Sequence, residues 1–562
     1  MPRISVRPFS TALRDKLIQE GSPRLLAQLY SARGVGDTTQ SFSSLASLDH
    51  FSGMLNIDAA AIRLADAIAG QQRILVVGDF DCDGATSTAV AVSGLMLLGA
   101  QHVDFLVPHR TLHGYGLSPK LVETASTMKP DLIVTVDNGI SAEAGVSAAQ
   151  ARGIDVIVTD HHLPGDTLPA CILVDPNQAG CPHPGKHLAG VGVMFYVLGA
   201  LKAELVRRGI ATQSVDLSPL LDLVALGTVA DVVKLDANNR LLVKAGLERI
   251  RSGRTRPGIM ALFEIAKREL SLATADDFGF AIGPRLNAAG RLDDMAWGIK
   301  CLLAPDLPTA RHYAEELDRM NQARKGIEAD MQAQADVDLD SVVAGDGLGH
   351  SLVMHNGGWH PGVVGLLASR IKEAYTRPTL VFTDAEPGLI KGSGRSIPGF
   401  HLRDALDLVN KRTKGEVIVK FGGHAMAAGL TVHAHRLADL RVAFEQVARE
   451  WLPAGFLDEE VVTDGSLEPA FLNVAELTPV RAAVWGQGFP YPSFVGEFEV
   501  SSQTILKGAH SKLDATLNGV QIKVMLFNNV DPVPPILKAV YRPVLNTYRG
   551  NTSVEAIVER LI

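Results

Sequence analysis

Three aspartates stand at alternate positions in ILVVGDFDCDG (74–84): Asp79, Asp81 and Asp83. In extended backbone, alternate side chains share one side, so the spacing predicts three crowded carboxylates. Such carboxylates repel one another unless a cation neutralises them. Three more acidic or histidine-bearing clusters follow: TVDNG (135–139), VTDHH (158–162) and GTVADVV (227–233). Taken singly, each has a plain reading, because an aspartate after a strand is often a helix N-cap and TDHH could be a polar turn. Together they supply carboxylates and imidazoles, donors that suit hard or borderline divalent ions such as Mn2+ or Mg2+. There are enough ligands for two ions. A pair about 3.5–4 Å apart activates a water and stabilises both oxygens of an in-line phosphoryl displacement. Cys82 alternates away from the aspartates and is expected to face the protein.

A competing metal reading lies in CILVDPNQAGCPHPGKH (171–187), which offers Cys171, Cys181, His183 and His187. Their separations do not match the paired spacing of common zinc modules. Ordinary loop residues are expected there.

The elements that must position the acidic clusters are legible as alternation. Candidate strands RILVVGD (73–79), VDFLVP (103–108), DLIVTVD (131–137) and DVIVTD (155–160) alternate with Ala-rich stretches at 86–100 and 142–153. Near-continuous apolar strands between helices predict βαβ units and a buried parallel sheet. In such sheets active sites lie at the carboxyl ends of the strands, where these clusters fall. Residues 188–340 read as mostly helical, and their polar end (310–340) predicts a long helix joining two lobes. A second α/β region follows, with SLVMH (351–355) and PTLVFTD (378–384) as strands and the Gly-rich segments GLIKGSGRSIPGF (388–400) and FGGHAMAAG (421–429). From about residue 460 short strands and turns predict a small β-barrel.

Composition sets the outer limits. At 562 residues, three or so domains are expected, and 46% hydrophobic with 20% charged residues is ordinary for a folded soluble chain. A net charge of −8 argues against coating nucleic acid by bulk charge, but not against a local basic groove. The four cysteines form no CxxC pair, which suggests a reducing compartment. MPRISVRPFSTALRDKL has no apolar core behind its basic residues, so no signal peptide is read. The longest apolar runs, such as 188–201, fall short of a membrane span. A cytoplasmic protein is expected.

The ordered set DFDCDG, VDNG, DHH and ADVV resembles the DHH phosphoesterase superfamily, named for the tripeptide Asp160-His161-His162. The likeness extends to AGVGV (189–193), GPRLNAAGRL (283–292), WHPGVVGLLASR (359–370), GSGRSIPGF (392–400), GGHAMAAG (422–429) and WGQGFPYP (485–492). Together these resemble the RecJ family of single-strand-specific 5′→3′ DNA exonucleases over nearly the whole chain. The resemblance implies an α/β fold: a parallel-sheet DHH domain joined by a long helix to a smaller α/β DHHA1-type domain, then a C-terminal OB-fold β-barrel. The boundaries read as 1–50 for an N-terminal extension, 51–300 catalytic, 301–345 connecting, 346–458 substrate-binding and 459–562 DNA-binding.

By position, the family's two divalent cations, Mn2+ or Mg2+, would be held by Asp79, Asp81, Asp83, Asp137, His161 and Asp231, with Asp137 bridging. His162 would contact the scissile phosphate, and the catalytic set would be Asp81, Asp83, Asp137, His161, His162 and Asp231. Phe80 and Cys82 replace the Tyr and Ala of many relatives, on the face expected to point away from the carboxylates. Arg110, Arg285, Arg291, Ser393, Arg395 and His424 would bind substrate, with Arg110, Ser393, Arg395 and either Arg285 or Arg291 toward the 5′ phosphate and His424 in the cleft; otherwise each arginine reads as surface or salt-bridged and His424 as core. In GSGRS the glycines would let backbone approach a phosphate.

Gripping a single strand also needs cations and stacking surfaces. Arg240, Lys244, Arg249, Arg251, Arg254 and Arg256 form a basic run, read as DNA-facing or as a solvated face. Lys507, Lys512, Tyr541, Tyr548 and Arg549 are candidate barrel contacts. The expected partners are single-stranded DNA with a 5′ end, a helicase and a single-strand-binding protein, with no membrane, for a chain acting as a monomer. The rivals are a phosphodiesterase for oligoribonucleotides or cyclic dinucleotides, a non-catalytic replication scaffold and a generic nucleotide-binding module. Relatives of the first kind generally lack the barrel, and the scaffold relatives have lost acidic motifs that are complete here. A nucleotide-binding module would not need the triple aspartate.

Overall fold

The computed structural model describes residues 3–36, 45–110, 112–210, 213–344, 348–452, 460–548 and 550–562. It divides into two compact units, one of residues 5–319 with 462–562 and one of residues 1–4 with 320–461.

The first unit is built on a five-stranded, all-parallel sheet. Its spatial order is Val103–Leu106, Ile74–Val77, Leu132–Val136, Asp155–Thr159 and Ile172–Val174. Ile74–Val77 and Leu132–Val136 are buried at every position, which explains their unbroken apolar sequence. The fifth strand, three residues long, falls below what patterning can detect. After Ile74–Val77 the chain moves outward to Val103–Leu106, then returns to the other side at Leu132–Val136. The strand order therefore reverses between the ends that carry Asp79 and Asp137, and such a switch point opens a crevice for ligands. Helix Cys82–Leu97 is almost wholly buried. Small residues allow this: a Cβ on Gly94 would fall 2.3 Å from Leu198 Cδ1 on helix Gly190–Arg207.

Helices dominate up to the long helix Leu307–Ala344, which carries the chain from one unit into the other. In the second unit a mixed sheet runs in the order Ile418–Gly423, Ala427–His433, Leu389–Arg395, Thr379–Asp384 and Leu352–His355. The GSGR portion of the GSGRS motif lies in an interior strand of that sheet. Its glycines serve packing, since a Cβ on Gly392 would meet Phe382 at 2.5 Å and one on Gly394 would meet Leu380 at 2.7 Å.

The C-terminal strands Phe494–Leu506, His510–Leu517, Val520–Leu526, Asn551–Leu561 and Ile536–Tyr548 close into a barrel in that order. Tyr541 is fully buried there, packed against Phe494 and Phe498, so it is a core residue and not a strand contact. Lys512 pairs with Glu555 at 3.3 Å, and Lys507 lies at a turn with φ 51°. Arg549 and the Tyr548 side chain lie outside the described residues. No helix among the described residues is long and apolar enough to cross a membrane.

Candidate functional site

The three alternate aspartates are not presented by one extended strand. The strand ends at Val77, Asp79 sits in the loop, and Asp81 is the N-cap of helix Cys82–Leu97, accepting from the Gly84 amide at 3.0 Å. Asp83 lies in that helix's first turn. A loop tightened by Gly84 replaces the period-two geometry: a Cβ there would strike Asp79 backbone at 2.6 Å. Helix Gly283–Leu292 braces the loop, with Asn287 accepting from the Cys82 amide at 2.8 Å and Gly290 packed on the Phe80 carbonyl. Cys82 is buried, and burial with the Asp81 charge pushes its thiol up.

Asp137 follows Leu132–Val136 in left-handed backbone, φ 61°. The Asn138 side chain locks that turn, donating to Val77 O at 3.1 Å and Val136 O at 2.9 Å. Gly190 of the AGVGV segment leaves room for Asp137, since a Cβ there would fall 2.6 Å from its carboxylate. Asp83 anchors the same segment by accepting from the Gly190 and Val191 amides at 2.6 and 3.0 Å. Asp231 caps the C-terminal end of helix Leu221–Ala230.

These groups converge. His161 Nε2 is 3.1 Å from Asp137, 3.5 Å from Asp231 and 4.0 Å from Asp83. Among the described residues three sets could each hold a cation, every ligand atom within 4.8 Å of the others: Asp79–Asp81–Asp137, Asp83–His161–Asp231 and Asp137–His161–His162. Asp137 belongs to two of them. Burial is the main reason that Asp79, Asp83, Asp137 and Asp231 resist ionisation, with neighbouring carboxylates adding to it; Asp83 is pushed up to about 7. Asp79 Oδ1 and Asp137 Oδ1 are buried without a hydrogen bond, although His161 Nε2 lies 3.1 Å from Asp137 Oδ1. A buried carboxylate left so is costly. The donor set therefore fits divalent cations, which would supply what these oxygens lack.

The first residue of the DHH tripeptide has a different task. Asp160, fully buried, accepts from Ile140 N at 2.8 Å, His161 N at 2.8 Å, His162 N at 3.2 Å and His162 Nδ1 at 2.7 Å. Burial alone would lower His162, but the hydrogen bond and charge of Asp160 raise it to about 10. Tyr115 Oη lies 3.4 Å from the His162 ring nitrogens. Residue type alone singled out neither Tyr115 nor Asn287, although Asn287 stands inside the GPRLNAAGRL motif.

The remaining candidates separate. Arg110 stacks 3.8 Å over the Phe80 ring and donates to Gly290 O at 3.1 Å. Phe80 is therefore a support of the site and not a residue facing away from it. Arg285 is bound to Asp318 at 2.8 Å and to Ala281 O at 2.6 Å. Arg291 lies in the last turn of helix Gly283–Leu292. In the second unit Ser393 and Arg395 both face Gly365, where a Cβ would come within 3.3 and 3.1 Å of them. Arg395 donates to Gly394 O at 2.8 Å, and burial lowers its pKa. His424 is exposed in the tight turn between Ile418–Gly423 and Ala427–His433, so it is not a core histidine.

The basic run is largely structural. Arg240 covers Phe489 at 4.2 Å, Arg251 donates to Ala273 O at 2.7 Å and Arg256 pairs with Asp222 at 3.2 Å. Arg249 donates to Ser218 Oγ at 3.3 Å, Arg254 to Ser252 Oγ at 3.0 Å, and Lys244 lies 3.5 Å from Glu248. The Cys181–His183 loop binds its own backbone, with His183 Nδ1 accepting from Gly185 N at 3.0 Å. Among the described residues that loop supplies no metal-holding set.

Three family models match the chain: the DHH family N-terminal domain over 73–228, the DHHA1 domain over 348–450 and the RecJ OB domain over 463–560. The single-stranded-DNA-specific exonuclease RecJ of Dickeya dadantii is 46% identical over 567 residues, 98% of this chain and 97% of its own. The crystal structure of RecJ from Thermus thermophilus with Mn2+ matches at TM-score 0.80 and 28% identity, over 100% of this chain and 79% of that one. The same protein with Mg2+ matches at TM-score 0.76 and 27% identity, over 100% of this chain and 78% of that one. With identity of this order sustained from end to end, the chain belongs to the RecJ family of single-stranded-DNA-specific exonucleases.

Proposed function

We propose that the protein hydrolyses single-stranded DNA from its 5′ end and releases 5′-mononucleotides, in DNA repair and recombination. The observation that carries this reading is the convergence at the sheet's switch point of Asp83, Asp137 and Asp231 on His161, with Asp79 and Asp81 joined to them through Asp137. Asp79, Asp81, Asp83, Asp137, His161 and Asp231 would hold two divalent cations, Mn2+ or Mg2+, with Asp137 between them. Bound there, such ions supply a more acidic water and positive charge for the phosphate oxygens. Asp160 fixes the direction of the His162 ring through Nδ1 and favours its charged form, in which Nε2–H would donate to a phosphate oxygen. Asp81, Asp83, Asp137, His161, His162 and Asp231 form the proposed catalytic set.

Arg110, Arg285, Arg291, Ser393, Arg395 and His424 form the proposed substrate-binding set. Arg110 and Arg395 have the strongest support, since each is shielded from solvent and, among the described residues, neither forms a salt bridge with a carboxylate. Arg285 is the weakest member, being committed to Asp318. In this reading 51–300 is catalytic, 301–345 connecting, 346–458 substrate-binding and 459–562 DNA-binding, behind an extension of 1–50. The protein would act in the cytoplasm as a monomer, beside a helicase and a single-strand-binding protein.

The test is hydrolysis of 5′-phosphorylated single-stranded DNA labelled at either end, with Mn2+ or Mg2+ and with Asp81→Ala as control. Early release of the 5′ label as mononucleotide, absent in the variant and on blunt duplex, is expected. Release of the 3′ label alone would reverse the polarity. Turnover only of short RNA or cyclic dinucleotides would replace the reading with a small-substrate phosphodiesterase.

A further inference from the structure

Two exposed apolar side chains stand on segments next to the carboxylate cluster, Val232 in strained backbone and Phe280 on a π-helical turn. Val232 follows Asp231 directly, is 62% exposed and has φ 60°. A β-branched residue in left-handed backbone is a genuine outlier, and such strain gathers at functional sites. Phe280 is 81% exposed, although its neighbours Phe278, Ala281 and Ile282 are buried. It stands on the π-helical turn Phe278–Ile282, a geometry found mostly as single turns and frequently at functional sites.

The segments that carry the two residues approach each other at Gly283 and Ala230. The π turn leads into Gly283, where a Cβ would fall 3.3 Å from the Ala230 Cβ, one residue before Asp231. Asp231 Oδ2 is in turn 3.5 Å from His161 Nε2. The turn therefore leads into the segment that packs beside Asp231, and its outer side is open at Gly279, where a Cβ would meet nothing within 4 Å.

We propose that Phe280 and Val232 form a nucleobase ledge beside the carboxylates, the Phe280 ring lying against a base and Val232 against its edge. This deepens the exonuclease reading and rests on it. The occupant follows from chemistry. A strand with a phosphate over the carboxylates must carry bases on one side of it, and every base has a π-face to offer. Neither side chain has a hydrogen-bonding group, so the ledge would not read base identity by hydrogen bonds and would accept any base. That suits an enzyme that must advance through every sequence. Two side chains beside a row of carboxylates are too small an apolar area for a protein partner.

Steady-state hydrolysis of 5′-phosphorylated oligo(dT) tests the ledge, using the parent protein, Phe280→Ala, Phe280→Trp and Val232→Ala. Stacking of this kind predicts a roughly 5- to 100-fold rise in KM for Phe280→Ala with kcat held within about twofold. Phe280→Trp is expected to restore KM, and Val232→Ala to raise it less than Phe280→Ala. The second arm replaces one base at a time, counted from the 5′ end, by an abasic position. The parent should be slowed by loss of one particular base, and Phe280→Ala should be indifferent to that loss. Equal KM in parent and Phe280→Ala, or the same abasic penalty in both, overturns the ledge alone. If the parent does not hydrolyse the unmodified oligonucleotide, the exonuclease reading and the ledge fall together.

Discussion

At the scale of single residues, the site is governed as much by what holds the imidazoles as by what faces the substrate. Asp160 spends its carboxylate on four donors from Ile140, His161 and His162. Asp160→Asn would turn an amide N–H toward one of those donors. It is expected to lower kcat by about 10- to 100-fold with the fold intact, as loss of a ligand-orienting carboxylate does elsewhere; circular dichroism beside steady-state kinetics checks this. The buried oxygens of Asp79 and Asp137 make a second expectation. Chelation should abolish hydrolysis and lower the unfolding midpoint, and Mn2+ at about 100 times its Kd should restore about 2.7 kcal/mol of stability. Asp137→Asn should lose most of that thermal shift.

At the scale of elements, glycines decide how closely helices brace the site. Gly290 lies so near the Phe80 carbonyl that a Cβ would fall 1.7 Å from it. Gly290→Ala must push helix Gly283–Leu292 off the aspartate loop, a cost of about 1–3 kcal/mol or more by analogy with overpacked cores. Urea unfolding should show that loss, and Arg110 should lose its bond to Gly290 O. A second element prediction concerns pH. Burial alone would raise the Glu445 carboxyl, but the His350 amide, the Arg449 guanidinium and the Ser351 hydroxyl and amide hold it below its usual range. A depressed folded pKa contributes stability that is present above the unfolded value and lost as pH falls through the folded one. The second unit should therefore weaken on acidification below about pH 4.5, the ordinary glutamate value. Glu445→Gln should flatten that limb and cost about 1–3 kcal/mol at neutral pH, read by urea unfolding across pH.

At the scale of the whole chain, the first unit closes sequence ends that lie far apart. Arg33 donates to both Asp464 oxygens at 2.9 and 2.8 Å, and Arg7 adds a third contact at 3.0 Å. The Arg33 and Asp464 side chains are only 2% and 3% exposed. Asp464 also accepts from Ser493 N at 3.1 Å, next to the first barrel strand. The N-terminal helices and the barrel thus share one buried ion pair. Arg33→Met leaves Asp464 with a weaker partner in a dry site and is expected to cost about 3–5 kcal/mol. Limited proteolysis should then cut near residue 460 before the catalytic sheet.

Much of this molecule was written in one dimension. Unbroken apolar strands between Ala-rich helices determine a parallel sheet, because only a strand buried on both faces can lack polar positions. Acidic and histidine motifs at successive element ends determine where chemistry is offered. The polar stretch at 310–340 determines the long helix Leu307–Ala344, for the same local reason of continuous helix-forming residues. What residue types could not determine was direction and distance. Asp81 and Asp83 belong to a helix start, not to a strand, because Gly84 and Asn287 tighten the loop there. The GSGRS glycines answer to Phe382 and Leu380, Tyr541 to the barrel core, and most of the basic run to nearby carbonyls and carboxylates. Those outcomes depend on packing against neighbours, some as remote in sequence as Asn287 from Cys82 or Asp222 from Arg256. Periodicity reports the face a residue occupies, whereas only packing reports what that face meets.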